Sequence, residues 1–95
     1  MSAEIFGKAD GLSRGKGGHM HLFDPARKFS CGRIEGATLP PTVGAALAAK
    51  KLGKDWVAVA VLGEGAANQG TFHESLNLAR YGNCRRCSSW RTTDE

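Results

Sequence analysis

Residues 57–70 read VAVAVLGEGAANQG, an apolar run that ends in two glycines with a glutamate between them. Valine alternating with alanine predicts a buried strand, and the glycines predict a sharp turn at its end. A carboxylate at the end of an apolar strand is costly unless something compensates its charge. Glu64 is therefore either solvated on a loop or directed at a cation. Mg²⁺ commonly bridges carboxylate oxygens to phosphates, and free N–H groups ahead of the next helix bind phosphate oxygens.

The segments on both sides of this stretch predict an α/β fold. The strand covers residues 55–62 and is apolar on both faces, which is typical of a parallel sheet covered by helices on both sides. Before it, residues 40–53 predict a helix that starts with prolines and stops at Gly53. The order helix, strand, glycine loop, helix is an α/β pattern. Open α/β sheets bind their ligands at the carboxyl ends of the strands, where Glu64 lies.

The second helix is predicted to begin near Thr71. Thr71 and Glu74 have the spacing of a capping box, in which each side chain bonds a backbone N–H at the helix start. Phe72, Leu76 and Ala79 form one apolar stripe on this helix. The stripe predicts that the helix packs on the strand.

The first 36 residues are rich in glycine and show little periodicity, so little regular structure is predicted there. The segment GKGGHM is not a phosphate-binding P-loop, because Gly11 and Gly15 are separated by three residues and Gly17 follows Lys16. The three histidines (His19, His21 and His73) are too scattered to predict a metal cluster. Cys84 and Cys87 have zinc-knuckle spacing, but no second pair follows them, so structural zinc is not predicted.

Composition excludes several classes of protein. The net charge is +4, from 13 basic and 9 acidic residues, and half of the excess lies after residue 79. No basic stripe with interleaved aromatic residues indicates nucleic-acid binding, and no long apolar run predicts a membrane span. The three cysteines are an odd number without a secretory signal, which predicts reduced thiols and a cytoplasmic location.

Three longer strings resemble one enzyme family. Residues 63–79, GEGAANQGTFHESLNLA, closely resemble the thiamine-diphosphate motif in the alpha subunit of 2-oxo acid dehydrogenase E1 components. That family includes the pyruvate, branched-chain 2-oxo acid and acetoin dehydrogenases. Residues 4–24 resemble the family segment ending G-K-G-G-S-M-H, and residues 36–50 resemble the helix between the two. The likeness keeps one register from Glu4 to Ala79.

The resemblance implies a set of site residues. Glu64 stands where the family carboxylate binds the Mg²⁺ that holds the diphosphate, and the backbone of Gly65 and Ala66 would contact that diphosphate. The family loop matching residues 33–36 contacts the aminopyrimidine ring through its backbone. It usually reads G-I-V-G, whereas this chain has charged Arg33 and Glu35 there. Two further residues match the family's active-site loop. His21 matches a family histidine and is a candidate for a catalytic group, and His19 replaces a usual serine.

The resemblance also implies a fold and a reaction. Residues 1–79 would be part of a thiamine-diphosphate-binding fold, a parallel sheet flanked by helices that is incomplete in this chain. The family reaction is the oxidative decarboxylation of a pyruvate-like 2-oxo acid, with acyl transfer to a lipoyl group on E2. The partners implied are an E1 beta subunit, in a heterotetramer, and the lipoyl-bearing E2 acyltransferase.

The same resemblance predicts that the chain is an incomplete E1 alpha subunit, marginally stable and inactive alone. Several properties stay open: the substrate, the catalytic acid and base, and whether the chain alone binds the cofactor. The alternative is a non-enzymatic remnant or interaction fragment that binds no cofactor.

Residues 80–95 depart from the family abruptly and read RYGNCRRCSSWRTTDE. The family continues A-L-W-K-L-P, then an apolar strand, then E-D-N or E-N-N, whose last Asn is the other Mg²⁺ ligand. Reverse translation with one base restored after the Ala79 codon permits A-L-W-K-L-P-A-V-F-V-V-E-D-N. The code is degenerate, so this agreement is compatibility with a frame change. We therefore expect residues 80–95 to be an out-of-frame, disordered tail.

Overall fold

The computed structural model describes residues 1–84 and the backbone of residues 87–92. The chain divides into two units, Met1–Arg33 and Ile34–Glu95. The helices and strands follow in the order α1 (Ser2–Ile5), β1 (Phe23–Asp24), β2 (Phe29–Ser30), α2 (Leu39–Lys51), β3 (Ala58–Gly63), α3 (Glu64–Ala67), α4 (Gly70–Tyr81) and β4 (Cys87–Thr92). No helix among the described residues is long and apolar enough to cross a membrane.

The first unit consists mainly of loop, as the glycine content predicts. Its hairpin is antiparallel, with Phe23 opposite Ser30 and Asp24 opposite Phe29. Asp24 is buried and closes the turn, because its carboxylate accepts a bond from the Arg27 backbone N–H at 3.2 Å and from Arg27 Nη1 at 2.9 Å. These bonds compensate the burial of a charge in a small unit.

The predicted helix at 40–53 is confirmed as α2, with its bounds at Leu39 and Lys51. The helix ends just before Gly53. The φ of this glycine is +62°, a left-handed conformation that favours glycine and does not continue a helix. The backbone N–H of Gly53 donates to the carbonyl of Lys50, and that of Lys54 donates to Ala49. These two bonds satisfy carbonyls that the helix end would leave without partners.

The second unit contains a parallel strand pair. β3 pairs with β4 from Ala58 opposite Cys87 to Gly63 opposite Thr92. The expectation that residues 80–95 are disordered is wrong where the structure describes them, because α4 continues to Tyr81 and residues 87–92 form a strand. Backbone pairing needs no apolar side chains, and the edge of β3 offers unpaired N–H and C=O groups. Whether the tail is out of frame stays a prediction.

One face of β3 carries the core of this unit. Ala60 and Leu62 are buried with Leu39 and Ala66, and Ala58 packs against a second cluster of Val43, Ala46, Ala79 and Cys84. Both α2 and α4 thus cover the alanine–leucine face. The expected cover on both faces is not found among the described residues, since Val57, Val59 and Val61 are 61%, 53% and 62% exposed.

Helix α4 differs from its prediction in two respects. It begins at Gly70 with Gln69 as its N-cap residue, and no side chain caps it. The Thr71 hydroxyl instead donates to Gln69 Oε1 at 3.3 Å, so the predicted capping box is wrong. The buried side chains are Ser75 and Ala79, with Phe72 half-buried, whereas Leu76 is exposed because neither helix nor strand in the described chain covers it.

Candidate functional site

One side of the turn after β3 packs in the core, and the other side is exposed. Gly63 is extended, with ψ 167°, and α3 starts at Glu64. Ala66 is 1% exposed and packs in the core with Leu39, Ala60 and Leu62, whereas Glu64 and Gly65 are exposed. The buried methyl group of Ala66 therefore fixes the backbone of a turn whose other side faces outward.

The open side of this turn suits a ligand with negative charge and a cation. A Cβ atom added at Gly63 or Gly65 would meet nothing within 4 Å, so the described chain itself does not require glycine there for space. The first N–H groups of a helix have no partner within it, and those of α3 follow Gly63. The Glu64 carboxylate makes no hydrogen bond or ion pair with the described residues, so its oxygens are available to a metal ion.

The loop before α2 lies against the start of α4. Gly36 is buried with φ +78°, and a Cβ atom there would be 2.7 Å from Gln69 Oε1 and 2.9 Å from Thr71 Oγ1. The backbone N–H of Gln69 in turn donates to the carbonyl of Ala66 at 3.2 Å. The structure therefore brings the loop at Gly36 beside the segment that follows Glu64, Gly65 and Ala66.

Sequence reasoning did not identify Gln69 and Thr71 as the residues that hold this loop. The sequence shows that residue 36 is a glycine, but its neighbours in the sequence do not show which distant side chains approach it. Glu35 is exposed in the same loop. Its charged side chain is thus in solvent, while the backbone beside it is packed.

The remaining candidates lie in the first unit. His19 and His21 are exposed, and Arg33 is its exposed last residue. Gly17 lies against the segment of His21, since a Cβ atom at Gly17 would be 2.7 Å from the His21 carbonyl oxygen. Among the described residues no group of three or more His, Cys, Asp or Glu side chains could hold a metal ion. Glu64, the predicted metal ligand, therefore belongs to no such group among the described residues.

A second carboxylate, which the sequence analysis did not identify, organises the glycine-rich loop. Glu4 is fully buried, and its Oε2 accepts bonds from the backbone N–H groups of Ser13 at 2.8 Å and Gly15 at 2.9 Å. Its Oε1 accepts a bond from the N–H of Gly17 at 2.6 Å. Burial raises the pKa of Glu4, but these backbone donors together outweigh it and hold the pKa below its ordinary value.

Of the two described cysteines, Cys84 belongs to the same unit as the glycine turn. Cys31 and Cys84 are free thiols. Cys84 lines a cavity with Lys50 and Trp56, near the amino end of β3 and thus at the opposite end of the strand from Glu64. The side chain of Cys87, which has zinc-knuckle spacing from Cys84, lies outside the described residues.

Comparison with known proteins agrees with the likeness found in the sequence. A family profile described as Dehydrogenase E1 component matches residues 1–85. The alpha subunit of acetoin:2,6-dichlorophenolindophenol oxidoreductase from Cupriavidus necator is 51% identical over 80 residues, 83% of this chain and 24% of that protein. The corresponding subunit from Bacillus subtilis is 50% identical over the same length.

Pyruvate dehydrogenase subunits are nearly as similar. The mitochondrial E1 component subunit alpha from Solanum tuberosum is 47% identical over 78 residues, 81% of this chain and 20% of that protein. The chain thus spans about a quarter or less of the length of these relatives. The family predicted from residues 4–79 is confirmed, and the chain belongs to the Dehydrogenase E1 component family, within which it corresponds to a segment of an alpha subunit.

Proposed function

We propose that this chain represents the diphosphate-binding segment of an E1 alpha subunit. The complete subunit would take part in the thiamine-diphosphate-dependent oxidative decarboxylation of a small 2-oxo acid, with acyl transfer to a lipoyl group on E2. The observation that carries the proposal is the open glycine turn at the carboxyl end of β3, where Glu64 is exposed and Ala66 is fixed in the core. A sheet of more strands and the complete cofactor-binding fold are part of the same proposal.

The residues of the turn fit the group that the family implies. The backbone of Gly65 and Ala66 would hold diphosphate oxygens, and a Cβ atom added at Gly65 would meet no described atom within 4 Å. Glu64 would supply one oxygen ligand to Mg²⁺. The backbone around Gly36, held by Gln69 and Thr71, would support the aminopyrimidine ring. When bound, thiamine diphosphate supplies the electron sink that makes loss of carbon dioxide from a 2-oxo acid possible.

The proposed metal site needs a second ligand. The pairing of β3 with β4 is described as far as Gly63 opposite Thr92, and Glu64 directly follows Gly63 in the chain. With one base restored after the Ala79 codon, the codon after that for position 92 permits Asn, an amide oxygen ligand suited to Mg²⁺. We propose that the repaired chain has two ligands at this edge of the sheet and that the present chain has one.

The relatives' names support the proposed substrates and partners. The relatives are subunits of acetoin and pyruvate dehydrogenases, so a small 2-oxo acid or acetoin is proposed as the substrate. We further propose an E1 beta subunit and a lipoyl-bearing E2 as protein partners. A cytoplasmic location, without membrane or nucleic-acid partners, is proposed from the odd number of cysteines and the absence of a basic stripe in residues 1–79.

Titration calorimetry with thiamine diphosphate tests this function. The present chain and the repaired, extended chain are compared with Mg²⁺ and with a chelator. We expect Mg²⁺-dependent binding by the repaired chain and little or none by the present chain.

The second candidate is a non-enzymatic remnant, favoured by the lone metal ligand among the described residues. It predicts no binding by either chain in the calorimeter. Binding by the present chain that does not depend on Mg²⁺ would count against the assigned role of Glu64.

A further inference from the structure

The Glu4 carboxylate is enclosed by backbone rather than by opposite charges. It is 0% exposed, and the groups that donate to it include the backbone N–H groups 9, 11 and 13 residues further along the chain. A buried carboxylate without compensation would be unstable, whereas bonds to a charged acceptor are stronger than neutral ones. The glycine-rich segment is therefore folded around an anion that belongs to the chain itself.

Two glycines of this segment are required for different reasons, Gly11 by its contact with Glu4 and Gly15 by its backbone conformation. A Cβ atom at Gly11 would overlap the Glu4 carboxylate and lie 2.7 Å from its Cα atom. Gly15 has φ +76°, a conformation that side chains rarely adopt. The spacing of these glycines, which resembles no phosphate-binding motif, thus has a local physical cause.

The enclosed carboxylate is linked to His21 through one residue. Gly17 donates its N–H to Glu4 Oε1, and a Cβ atom added to it would be 3.1 Å from that oxygen and 2.7 Å from the His21 carbonyl oxygen. Gly17 is therefore held between the two. A shift of the loop away from Glu4 would change the path of the chain into His21.

From this geometry we propose that Glu4 is a positioning residue, whose carboxylate fixes the glycine-rich loop and thereby the backbone that carries His19 and His21. A role of this fixed loop in catalysis rests on the proposed function. The fixing of the loop by Glu4 is a property of the first unit and is measured without cofactor.

Glu4→Gln in the full 95-residue chain tests the proposal by NMR and amide exchange at low temperature. The amide places an NH₂ group against an N–H donor, so at least one buried donor loses its acceptor. We expect exchange of the Ser13, Gly15 and Gly17 amides to become about tenfold faster or more, with a shift of the His21 ring resonances. The hairpin resonances of Phe23 and Ser30 should stay unchanged.

Asp24→Asn is the matched control, because it also removes a buried carboxylate from the same unit. It should leave the three loop amides and His21 unchanged. If Glu4→Gln leaves the loop protected and His21 unshifted, or if Asp24→Asn moves them equally, the proposal is wrong.

A titration of the unaltered chain covers the case in which Glu4→Gln does not fold. The charged and titratable groups on the surrounding loop are Lys8, Asp10, Arg14, Lys16, His19 and His21. The oxygens of Glu4 are nevertheless held by backbone N–H groups. The amide shifts of Ser13, Gly15 and Gly17 should move together, with one midpoint below the ordinary value for glutamate. Separate midpoints, or amides without protection, would overturn the proposal.

Discussion

At the scale of single residues, three carboxylates of this chain have three different environments. Glu64 is exposed and makes no contact with described partners, Asp24 is bonded to Arg27, and Glu4 is enclosed by backbone N–H groups. The Glu64 carboxylate has no hydrogen bond or ion pair with the described residues, so it is the one of the three that is available to an external cation. The carboxylates of Asp24 and Glu4 thus contribute to local folding, whereas that of Glu64 is the one proposed to bind a ligand.

Replacing Glu64 by Gln in the repaired chain should weaken Mg²⁺-dependent thiamine diphosphate binding by about tenfold or more, because the charge is lost while the shape is kept. Titration calorimetry measures the effect. Glu35→Gln is the control, since that side chain is exposed and only its neighbouring backbone is expected to contact the cofactor. If the Glu64→Gln variant binds the cofactor with unchanged affinity, Glu64 is not a ligand of the metal ion.

The hairpin of the first unit should lose stability in acid. The hydrogen bond from the Arg27 side chain holds the pKa of Asp24 below its usual value, although burial opposes the shift. The stabilisation is thus present above the ordinary aspartate pKa and is lost as the pH falls through the lowered one. Amide exchange of residues 23–30 against pH should show this loss, and Asp24→Asn should remove that pH dependence. An identical acid response in the variant would contradict the assignment.

At the scale of elements, the predictable features are those with local causes. Helix α2 and strand β3 were predicted because prolines, Gly53 and the valine–alanine alternation act within a few residues. The capping box failed because the Thr71 hydroxyl bonds Gln69, a side chain outside the pattern. The environment of Glu4 and the contact of Gly36 with α4 could not be predicted, because their partners are distant in sequence and are chosen by the tertiary fold.

The contact of Gly36 with α4 predicts opposite effects for two glycine-to-alanine changes. Gly36→Ala should destabilise the second unit by about 1–2 kcal/mol, since it places a side chain at φ +78° against Gln69 and Thr71. Gly44→Ala, in the open interior of α2, should stabilise it by about 0.5–1 kcal/mol. Amide hydrogen exchange of β3 and α4 under native conditions measures both, because it needs no cooperative unfolding transition. Equal effects would mean that Gly36 has no special contact.

At the scale of the whole molecule, the chain has more apolar surface than its own elements cover. Helices α2 and α4 pack on one face of a two-stranded sheet, and the valine face of β3 stays exposed. Two-stranded sheets are marginal in water unless further strands or helices cover them. The length of the relatives indicates that most of an alpha subunit lies outside this segment.

The isolated chain should therefore melt gradually rather than in one sharp transition. Its two small units bury limited surface, and small chains have little stability to spare. Calorimetry or circular dichroism against temperature tests this at low protein concentration, so that association does not contribute. A sharp cooperative melt of the monomer would contradict it.

The proposed frame change is a property of the gene and is tested there. The coding DNA near codon 80 should be sequenced and read again with one base added after codon 79. We expect this reading to give A-L-W and to end in an acidic-Asn motif. The family match ends at residue 85, so the last ten residues lie outside it. If no single-base restoration opens such a frame, the tail has another origin.

The uncovered valine face of β3 also bears on the lifetime of the chain in a cell. A flat apolar strip of this kind is what chaperones and proteases of the quality-control system bind, so a newly made chain should be cleared faster than it can accumulate. Unless a companion polypeptide shields the strip soon after synthesis, steady-state abundance would be low whatever the transcript level. We therefore expect that the valines, which would serve as interior packing in a larger subunit, promote the degradation of this chain.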